Sequence, residues 1–177
     1  MKRLAILLTV FACCCVGCDS IPSKKPTESV VDVYQALPLP DLHVSIPERF
    51  KTTSSEFYKE YYICEDASII ITEDTADAPY NSVYDYSVKA LVEYQNVTSE
   101  LKLLNDELLH ADATAIQMME FTYTLGEGDK SISKTCMVGY LTDRNSMYII
   151  TCKSDVDTYE NFREDFLSVI RSAYYMK

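Results

Sequence analysis

The chain has 177 residues, of which 16 are basic and 27 are acidic, and its formal net charge at pH 7 is −11. This negative charge argues against nucleic-acid binding, because the phosphate backbone would repel the protein. The residues that follow Pro40 are enough for one domain with a single core and too few for two.

The start of the chain has the layout of an export signal. Lys2 and Arg3 are followed by an uncharged run from Leu4 to Cys18. A cationic start and a short apolar middle are typical of a signal peptide, and the run is shorter than the ~20 apolar residues that span a bilayer. We therefore expect residues 1–17 to be a signal peptide that takes no part in the fold.

The end of this run resembles the processing site of bacterial lipoproteins. In Cys15-Val16-Gly17-Cys18 a small residue precedes the cysteine that processing modifies, although Cys15 stands where leucine is usual. The resemblance implies that Cys18 is lipidated, with palmitate or a similar acyl group, and anchors the protein at the outer face of the cell membrane. Two acyl chains would hold it stably, because each buried CH₂ contributes about 0.8 kcal/mol. An ordinary secretory signal with incidental cysteines is the alternative.

Residues 18–40 have the composition of a tether. Four prolines occur among serines and lysines, at Pro22, Pro26, Pro38 and Pro40. Such a composition favours extended, weakly packed backbone. The apolar residues within 27–37 fit both a helix and a strand, and the sequence leaves that choice open. Without the signal peptide the chain has 14 basic and 27 acidic residues, a net charge of −13, so attachment to the membrane depends on the lipid.

The first part of the remaining domain, residues 41–177, is predicted to form strands. We expect a strand over Leu42–Ile46, then a hairpin that joins Phe57–Cys64 to Ser68–Thr72. The second arm of this hairpin contains three consecutive isoleucines, Ile69-Ile70-Ile71. A β-branched run without alternation predicts a strand that is covered on both faces, so layers should pack on each side of the sheet.

A helix is predicted next, from the capping oxygens of Asn81 and Ser82 to about Asn96. Its apolar stripe is predicted to face the sheet and consists of Tyr84, Val88, Leu91 and Val92. We then expect a short strand at Leu101–Leu104 and a longer, alternating strand at Ile116–Leu125.

Two strands, Ile132–Leu141 and Met147–Lys153, are predicted to pair across a five-residue loop. If Leu141 lies opposite Met147, then Cys136 lies opposite Cys152 on the same face of the sheet. We therefore predict that these two thiols are buried neighbours, mostly reduced, and that Cys64 stays unpaired.

The chain is predicted to close with a helix that Asp157 can cap. One apolar stripe follows it: Tyr159, Phe162, Phe166, Val169, Ile170 and Ala173. A single stripe of this strength predicts a helix packed firmly on the sheet.

The order of these elements resembles the PsbP-like domain over roughly residues 41 to 176. The resemblance rests on Gly139-Tyr140-Leu141, on Tyr148-Ile149-Ile150-Thr151 and on the Tyr159–Tyr174 helix. Phe50 stands where the family often has tryptophan. The resemblance implies an α+β fold, an α/β/α sandwich with a central, mainly antiparallel sheet. Members of the family serve as accessory subunits of photosystem II or as protein-binding factors, and the fold brings no shared catalytic motif.

The sequence contains no motif for catalysis. A nucleophile elbow, an HExxH motif and a Gly-rich phosphate loop are all missing, and His43 and His110 are too few for a typical zinc site. The acidic residues between Glu65 and Asp77 are more typical of solvated turns than of a calcium site. We therefore expect neither catalytic residues, nor a metal, nor a cofactor.

Two functions remain open on the sequence alone. The first is a noncatalytic module that binds a protein or an envelope component, for which the 14 tyrosines would suit a binding surface. The second is a carrier or enzyme that takes a small ligand into a pocket between sheet and helix. A deep cleft with converging polar groups would favour the second function, and an exposed apolar patch over a filled core would favour the first.

Overall fold

A computed structural model describes residues 42–75, 78–80, 82–111, 114–126, 128–143 and 145–175. The expected signal peptide (1–17), the expected lipidation site Cys18 and the tether (18–40) lie outside the described residues. Neither helix within the described ranges has the length and apolar character that a membrane-spanning helix requires.

Most of the strands belong to one antiparallel sheet. In chain order these are β2 (Lys51–Thr52), β3 (Glu60–Cys64), β4 (Ala67–Asp74), β5 (Ser99–Ala111), β6 (Thr114–Leu125), β7 (Ile132–Thr142) and β8 (Met147–Asp155). Across the sheet the order is β2-β3-β4-β8-β7-β6-β5, so β2 and β5 are the edges. Two further short strands, β1 (Leu42–His43) and β9 (Tyr174–Tyr175), pair only with each other.

One helix packs on each face of this sheet. Helix α1 (Val83–Val97) follows β4, and helix α2 (Arg163–Arg171) follows β8 after a 3₁₀ turn at Tyr159–Asn161. Each face carries its own apolar cluster, which we refer to as the α1 side and the α2 side of the sheet. The predicted α/β/α sandwich with an antiparallel central sheet is confirmed.

The predicted hairpin and the isoleucine strand are confirmed. Strand β3 pairs with β4 across the turn at Glu65 and Asp66, with Cys64 opposite Ala67. The three isoleucines of β4 are all buried. They are buried because β4 lies inside the sheet, where both of its faces are covered by other layers.

Helix α2 buries the predicted stripe on its side of the sheet. Its members are all buried: Tyr159, Phe162, Phe166, Val169, Ile170 and Ala173. Phe50, which follows the first strand, joins them and contacts the rings of Phe162 and Phe166, with centroids 6.1 Å away in both cases. The predicted helix is nevertheless broken at its start, since the stretch before Arg163 forms the 3₁₀ turn.

The predicted face of helix α1 is wrong for three of its four residues, and it is right for Leu91. Ser82 caps the helix as expected, since its Oγ accepts a hydrogen bond from the Asp85 backbone N–H at 3.1 Å. The residues that pack against the α1 side are Val83, Tyr86, Ala90, Leu91 and Tyr94, together with the fully buried Ser87. Small residues at 87 and 90 let the helix approach the sheet closely, and this turns Tyr84, Val88 and Val92 toward solvent.

The predicted register between β7 and β8 is wrong by one residue. Leu141 pairs with Tyr148, and Thr142 pairs with Met147, so the loop has four residues. The Asp143 carboxylate accepts hydrogen bonds from the backbone N–H groups of Asn145 and Ser146, both at 2.8 Å. These two hydrogen bonds stabilise a tight loop between β7 and β8.

The shift in register separates the two cysteines that were expected to be neighbours. Cys136 lies opposite Lys153, and Cys152 lies opposite Met137. Because side chains alternate between the faces of a strand, a shift of one residue moves a side chain to the other face. Cys136 is therefore buried on the α1 side, whereas Cys152 is buried on the α2 side.

Candidate binding surface

One flank of helix α1 leaves apolar side chains in solvent. Tyr84, Val88 and Val92 are 54%, 38% and 49% exposed. Their spacing of four residues places them in a row along the helix. Leaving a large apolar side chain exposed forgoes about 1.5–3 kcal/mol of burial free energy, so a row of three on one flank calls for an explanation.

This exposed flank lies toward the β5 edge of the sheet. The opposite flank carries Tyr86, whose hydroxyl donates a hydrogen bond to Asp74 on β4 at 2.8 Å. Tyr84, on the exposed flank, lines a groove together with Leu108 of β5. The helix thus turns its tyrosine hydroxyl toward the middle of the sheet and its apolar row toward the edge.

Strand β5 is a long edge strand with apolar residues of its own in solvent. It pairs with β6, and its other side is not paired with any strand of the described residues. Leu103, Leu104 and Leu108 are exposed along it. Natural proteins usually protect edges with short strands, charges or bulges. The other edge strand, β2, has two residues, whereas β5 has 13, of which four are charged.

A groove connects the helix flank with the edge strand. It has a volume of about 530 Å³ and lies where α1 begins, over the paired ends of β5 and β6. Its lining is formed by Ser82, Val83, Tyr84, Asp106, Leu108, Ala115 and Gln117. Tyr84 and Leu108 both line it, so the exposed row of α1 and the edge strand meet at this groove. We refer to the exposed apolar residues of these two elements together as the α1–β5 surface: Tyr84, Val88, Val92, Leu103, Leu104 and Leu108.

The floor of the groove holds one fixed polar pair. Gln117 is buried, and its side-chain amide donates a hydrogen bond to the Asp106 carboxylate. The pair can orient a hydrogen-bonding or cationic group of a partner. The Ser82 hydroxyl, which also lines the groove, caps helix α1.

The charges around the α1–β5 surface are mainly negative. Strand β5 carries Glu100, Asp106 and Glu107 against a single lysine, Lys102. Helix α1 carries two acidic residues and one lysine. An apolar surface with an acidic surround favours a partner that combines apolar and cationic groups.

Cys136 and Cys152 are unsuited to thiol chemistry. Both are buried and free, and Cys64 is free and half-buried. Burial raises the pKa of the Cys136 thiol to about 12 and also raises the pKa of Cys152 well above its ordinary value. Because the thiolate is the reactive form, both residues serve as small apolar core residues.

The acidic residues near β4 hold the fold together. The Asp66 carboxylate accepts hydrogen bonds from the Asp155 backbone N–H at 2.9 Å and from the Thr158 hydroxyl at 2.5 Å. Glu73 accepts one from the Ser146 hydroxyl at 2.6 Å. No group of three or more His, Cys, Asp or Glu side chains that could hold a metal occurs in the part of the chain that the structure describes.

A second polar cluster, on the α2 side, is also structural. The buried Glu120 carboxylate accepts hydrogen bonds from Arg163 Nε and Nη2, both at 3.0 Å, and from the Tyr159 hydroxyl at 2.7 Å. These three groups link strand β6 to the segment that leads into α2. Their hydrogen-bonding capacity is used within the cluster, so it does not offer a ligand site.

The tyrosines mostly pack inside the protein. Tyr80, Tyr86, Tyr94, Tyr123 and Tyr140 all belong to or pack against the α1-side cluster. Burial raises the pKa of Tyr140 and of Tyr86, so both remain neutral phenols. Tyr84 is the tyrosine of α1 that contributes to the candidate surface.

The sequence predicted the apolar row of α1 but assigned it to the core. The predicted strand at β5 was too short. The strand was expected only at Leu101–Leu104, whereas it runs from Ser99 to Ala111. Its register against β6 shifts twice, between Ser99 and Lys102 and between Leu103 and Asn105. These irregularities break the alternation by which a strand is recognised in a sequence.

Known proteins resemble the chain in structure and not in sequence. No protein-family model matches the sequence, and no curated protein matches it. The cyanobacterial PsbP protein (CyanoP) of Synechocystis sp. PCC 6803 matches with a TM-score of 0.56 at 11% identity, over 86% of this chain and 100% of that protein. LpqN of Mycobacterium tuberculosis, which is involved in cell envelope biogenesis, matches with a TM-score of 0.56 at 8% identity, over 81% of this chain and 88% of that one.

The Ran-binding protein Mog1p of Saccharomyces cerevisiae has a TM-score of 0.50 at 12% identity, over 75% of this chain and 89% of that protein. At such identities a structural match establishes the fold and not the activity. The chain therefore has the α+β fold of the PsbP-like and Mog1p structures, with a seven-stranded antiparallel sheet and two helices. The resemblance expected from the sequence is confirmed for the fold, and the lipidation of Cys18 stays a prediction.

Proposed function

We propose that the protein is a lipid-anchored module on the outer face of the cell membrane, and that it binds a protein or an envelope component through the α1–β5 surface without catalysing a reaction. The observation that carries this proposal is the exposed row of Tyr84, Val88 and Val92 beside the open edge strand. Exposed apolar surface of this kind is typical of interaction sites.

Three further observations support binding over chemistry. The groove in the α1–β5 surface contains one carboxylate and one amide. The thiols of Cys136 and Cys152 are buried and protonated. The fold is also shared with LpqN, which is involved in cell envelope biogenesis, and with CyanoP.

The binding proposal is tested by affinity capture from intact crosslinked cells, with the anchored protein as bait. We expect a species that is recovered with the wild type and lost when Val88→Ser and Val92→Ser are combined. A matched control combines Leu125→Ser and Ile132→Ser, two exposed apolar residues that pair on β6 and β7. Equal recovery with both double variants would contradict the proposal.

The anchor is tested separately with Cys18→Ser. Only a thiol can form the thioether to the lipid, so this variant should leave the detergent phase or accumulate with its signal peptide uncut. Detergent partitioning followed by mass spectrometry of the N-terminus measures both outcomes. A variant that still carries an acylated mature N-terminus would contradict the assignment of Cys18.

A further inference from the structure

The second half of β5 is a regular template for another strand. From Asn105 to Ala111, consecutive residues of β5 pair with consecutive residues of the antiparallel strand β6, and the register does not shift. A regular strand that is paired on one side presents alternating N–H and C=O groups on its other side. These seven residues can therefore accept an extended peptide by hydrogen bonds between main chains.

The side chains of this half define what such a peptide would meet. Asp106 and Leu108 lie opposite Met119 and Gln117, and Met119 belongs to the α1-side cluster. Both residues also line the groove. A strand added beside β5 would thus place one set of alternate side chains over Leu108 and Asp106 on the α1 side, and the other set beside Glu107 on the opposite face.

Charge favours a basic peptide over a second copy of this chain. A second β5 would bring another Asp106 and another Glu107 to the interface, and each copy carries a net charge of −11. Like charges on paired strands destabilise the pairing. Lysine or arginine side chains would instead be attracted to these carboxylates.

We propose that β5 takes up an extended peptide of a partner protein as an additional strand over Asn105–Ala111, and that this peptide alternates apolar residues with lysine or arginine. The inference rests on the proposed function and specifies the partner of the same surface. The apolar residues contact Leu108 and Tyr84 on the α1 side of the sheet, and the cationic residues lie on the other face, near Glu107.

The probe is a capped octapeptide that alternates valine and lysine, added to the full-length protein. When the peptide binds, we expect hydrogen exchange to slow at those amides of Asn105–Ala111 that point away from β6. The amides of β3 should not change. An analogue with ester bonds in place of amides keeps the side chains but has no backbone N–H, and it should bind at least tenfold more weakly. A peptide that alternates valine and glutamate should not bind.

Two variants of the protein test whether the peptide binds at Leu108. Leu108→Arg should weaken binding of the valine-lysine peptide at least tenfold, because it places a cation in the groove. Ile132→Arg is the control, since Ile132 is 54% exposed and Leu108 is 51% exposed. Equal weakening by the two variants would overturn the proposal.

Three other results would also overturn this inference: equal affinity for the ester analogue, protection confined to other strands, or a dimer of the free protein that Leu108→Arg dissociates. The last result would assign the edge to a second copy. If cells still yield a species that depends on Val88 and Val92 while the peptide fails to protect β5, this inference fails and the proposed function stands.

Discussion

The two helices that cover the sheet differ in how much of their apolar surface they bury. Helix α2 and the turn before it bury every residue of their apolar stripe, with Phe162 and Phe166 stacked 6.0 Å apart. Helix α1 buries tyrosines and small residues and leaves Tyr84, Val88 and Val92 exposed. One face of the sheet is thus closed by a conventional core, whereas the other keeps an apolar row in solvent.

The observed orientation of α1 satisfies a tyrosine hydroxyl as well as burying apolar area. On the α1 side Tyr86 needs a partner for its buried hydroxyl, and Asp74 provides it. Leaving such a hydroxyl buried without a partner costs about 1–3 kcal/mol, comparable to the gain from burying one valine. On the α2 side an apolar stripe and the hydrogen bonds from Arg163 and Tyr159 to Glu120 favour the same orientation of the helix.

The largest expected effect comes from emptying the α2 side. Phe166→Ala should lower the free energy of unfolding by about 3–5 kcal/mol, since it removes a fully buried ring from a packed core. Val92→Ala, on the exposed flank of α1, should change it by less than about 0.5 kcal/mol. Urea unfolding measures both, and similar midpoints for the two variants would remove the contrast between the helices.

The buried carboxylate of the α2 side should be the next most sensitive position. Glu120→Ala leaves the Arg163 guanidinium and the Tyr159 hydroxyl without their acceptor, and it should cost about 3 kcal/mol of stability. Glu164→Ala is a matched control, because this exposed carboxylate lies 3.8 Å from the same arginine. It should have almost no effect. A larger loss of stability for Glu164→Ala than for Glu120→Ala would show that the stabilising partner of Arg163 is not the buried Glu120.

The close approach of α2 to the sheet can be tested at Gly139. A Cβ at this position would lie 2.9 Å from Ile170 Cγ2 and 3.3 Å from Ile116 Cγ2. Both methyl groups belong to stiff β-branched side chains in the core, so Gly139→Ala should destabilise the protein by about 1–3 kcal/mol. An unchanged thermal midpoint would mean that α2 lies farther from β7 than the structure places it.

Acid should weaken the connections at both ends of β4. Hydrogen bonds from Thr158 and the Asp155 backbone lower the pKa of Asp66 below its ordinary value despite the opposing effect of burial, and the bond from Ser146 lowers that of Glu73. The stability that depends on these lowered pKa values is fully present above the ordinary pKa values and is lost as the pH falls through the lowered ones. Asp66→Asn should therefore flatten the acid limb of a plot of stability against pH, which urea unfolding at a series of pH values measures. An unchanged acid limb would contradict this account.

The smallest effect on stability is expected on the α1–β5 surface itself. Combining Val88→Ser and Val92→Ser should change the free energy of unfolding by less than about 1 kcal/mol in total, because neither side chain is in the core. The same double variant is expected to lose its partner in cells. A loss of several kcal/mol, measured by urea unfolding, would show that the row is part of the core.

Sequence patterns predicted the α2 side better than the α1 side for a physical reason. The closing segment has one apolar stripe, so Phe162, Phe166 and Val169 could face only the sheet. Helix α1 has two competing stripes, one through Tyr84 and Val88 and one through Tyr86 and Ala90. The buried stripe makes contacts with other elements, such as the hydrogen bond from Tyr86 to Asp74, and local periodicity does not contain that information.

The register between β7 and β8 could not be predicted from the local sequence pattern, for a similar reason. Both registers place apolar residues on both faces of the sheet, and they differ by one loop residue. The Asp143 carboxylate selects the shorter loop through its bonds to the Asn145 and Ser146 backbone. The candidate surface was missed as a consequence of the α1 orientation, since an apolar row assigned to the core cannot also be assigned to a partner.

The contrast between the helices is tested most directly by photo-crosslinking in intact cells. A crosslinking amino acid is placed at Val88 or Val92 of α1, and at Glu164 or Ser168, which are exposed on α2. If the α1–β5 surface is the binding surface, both α1 positions will give one discrete crosslinked product and both α2 positions will give none. Equal products from the two helices, or products from α2 alone, would contradict it.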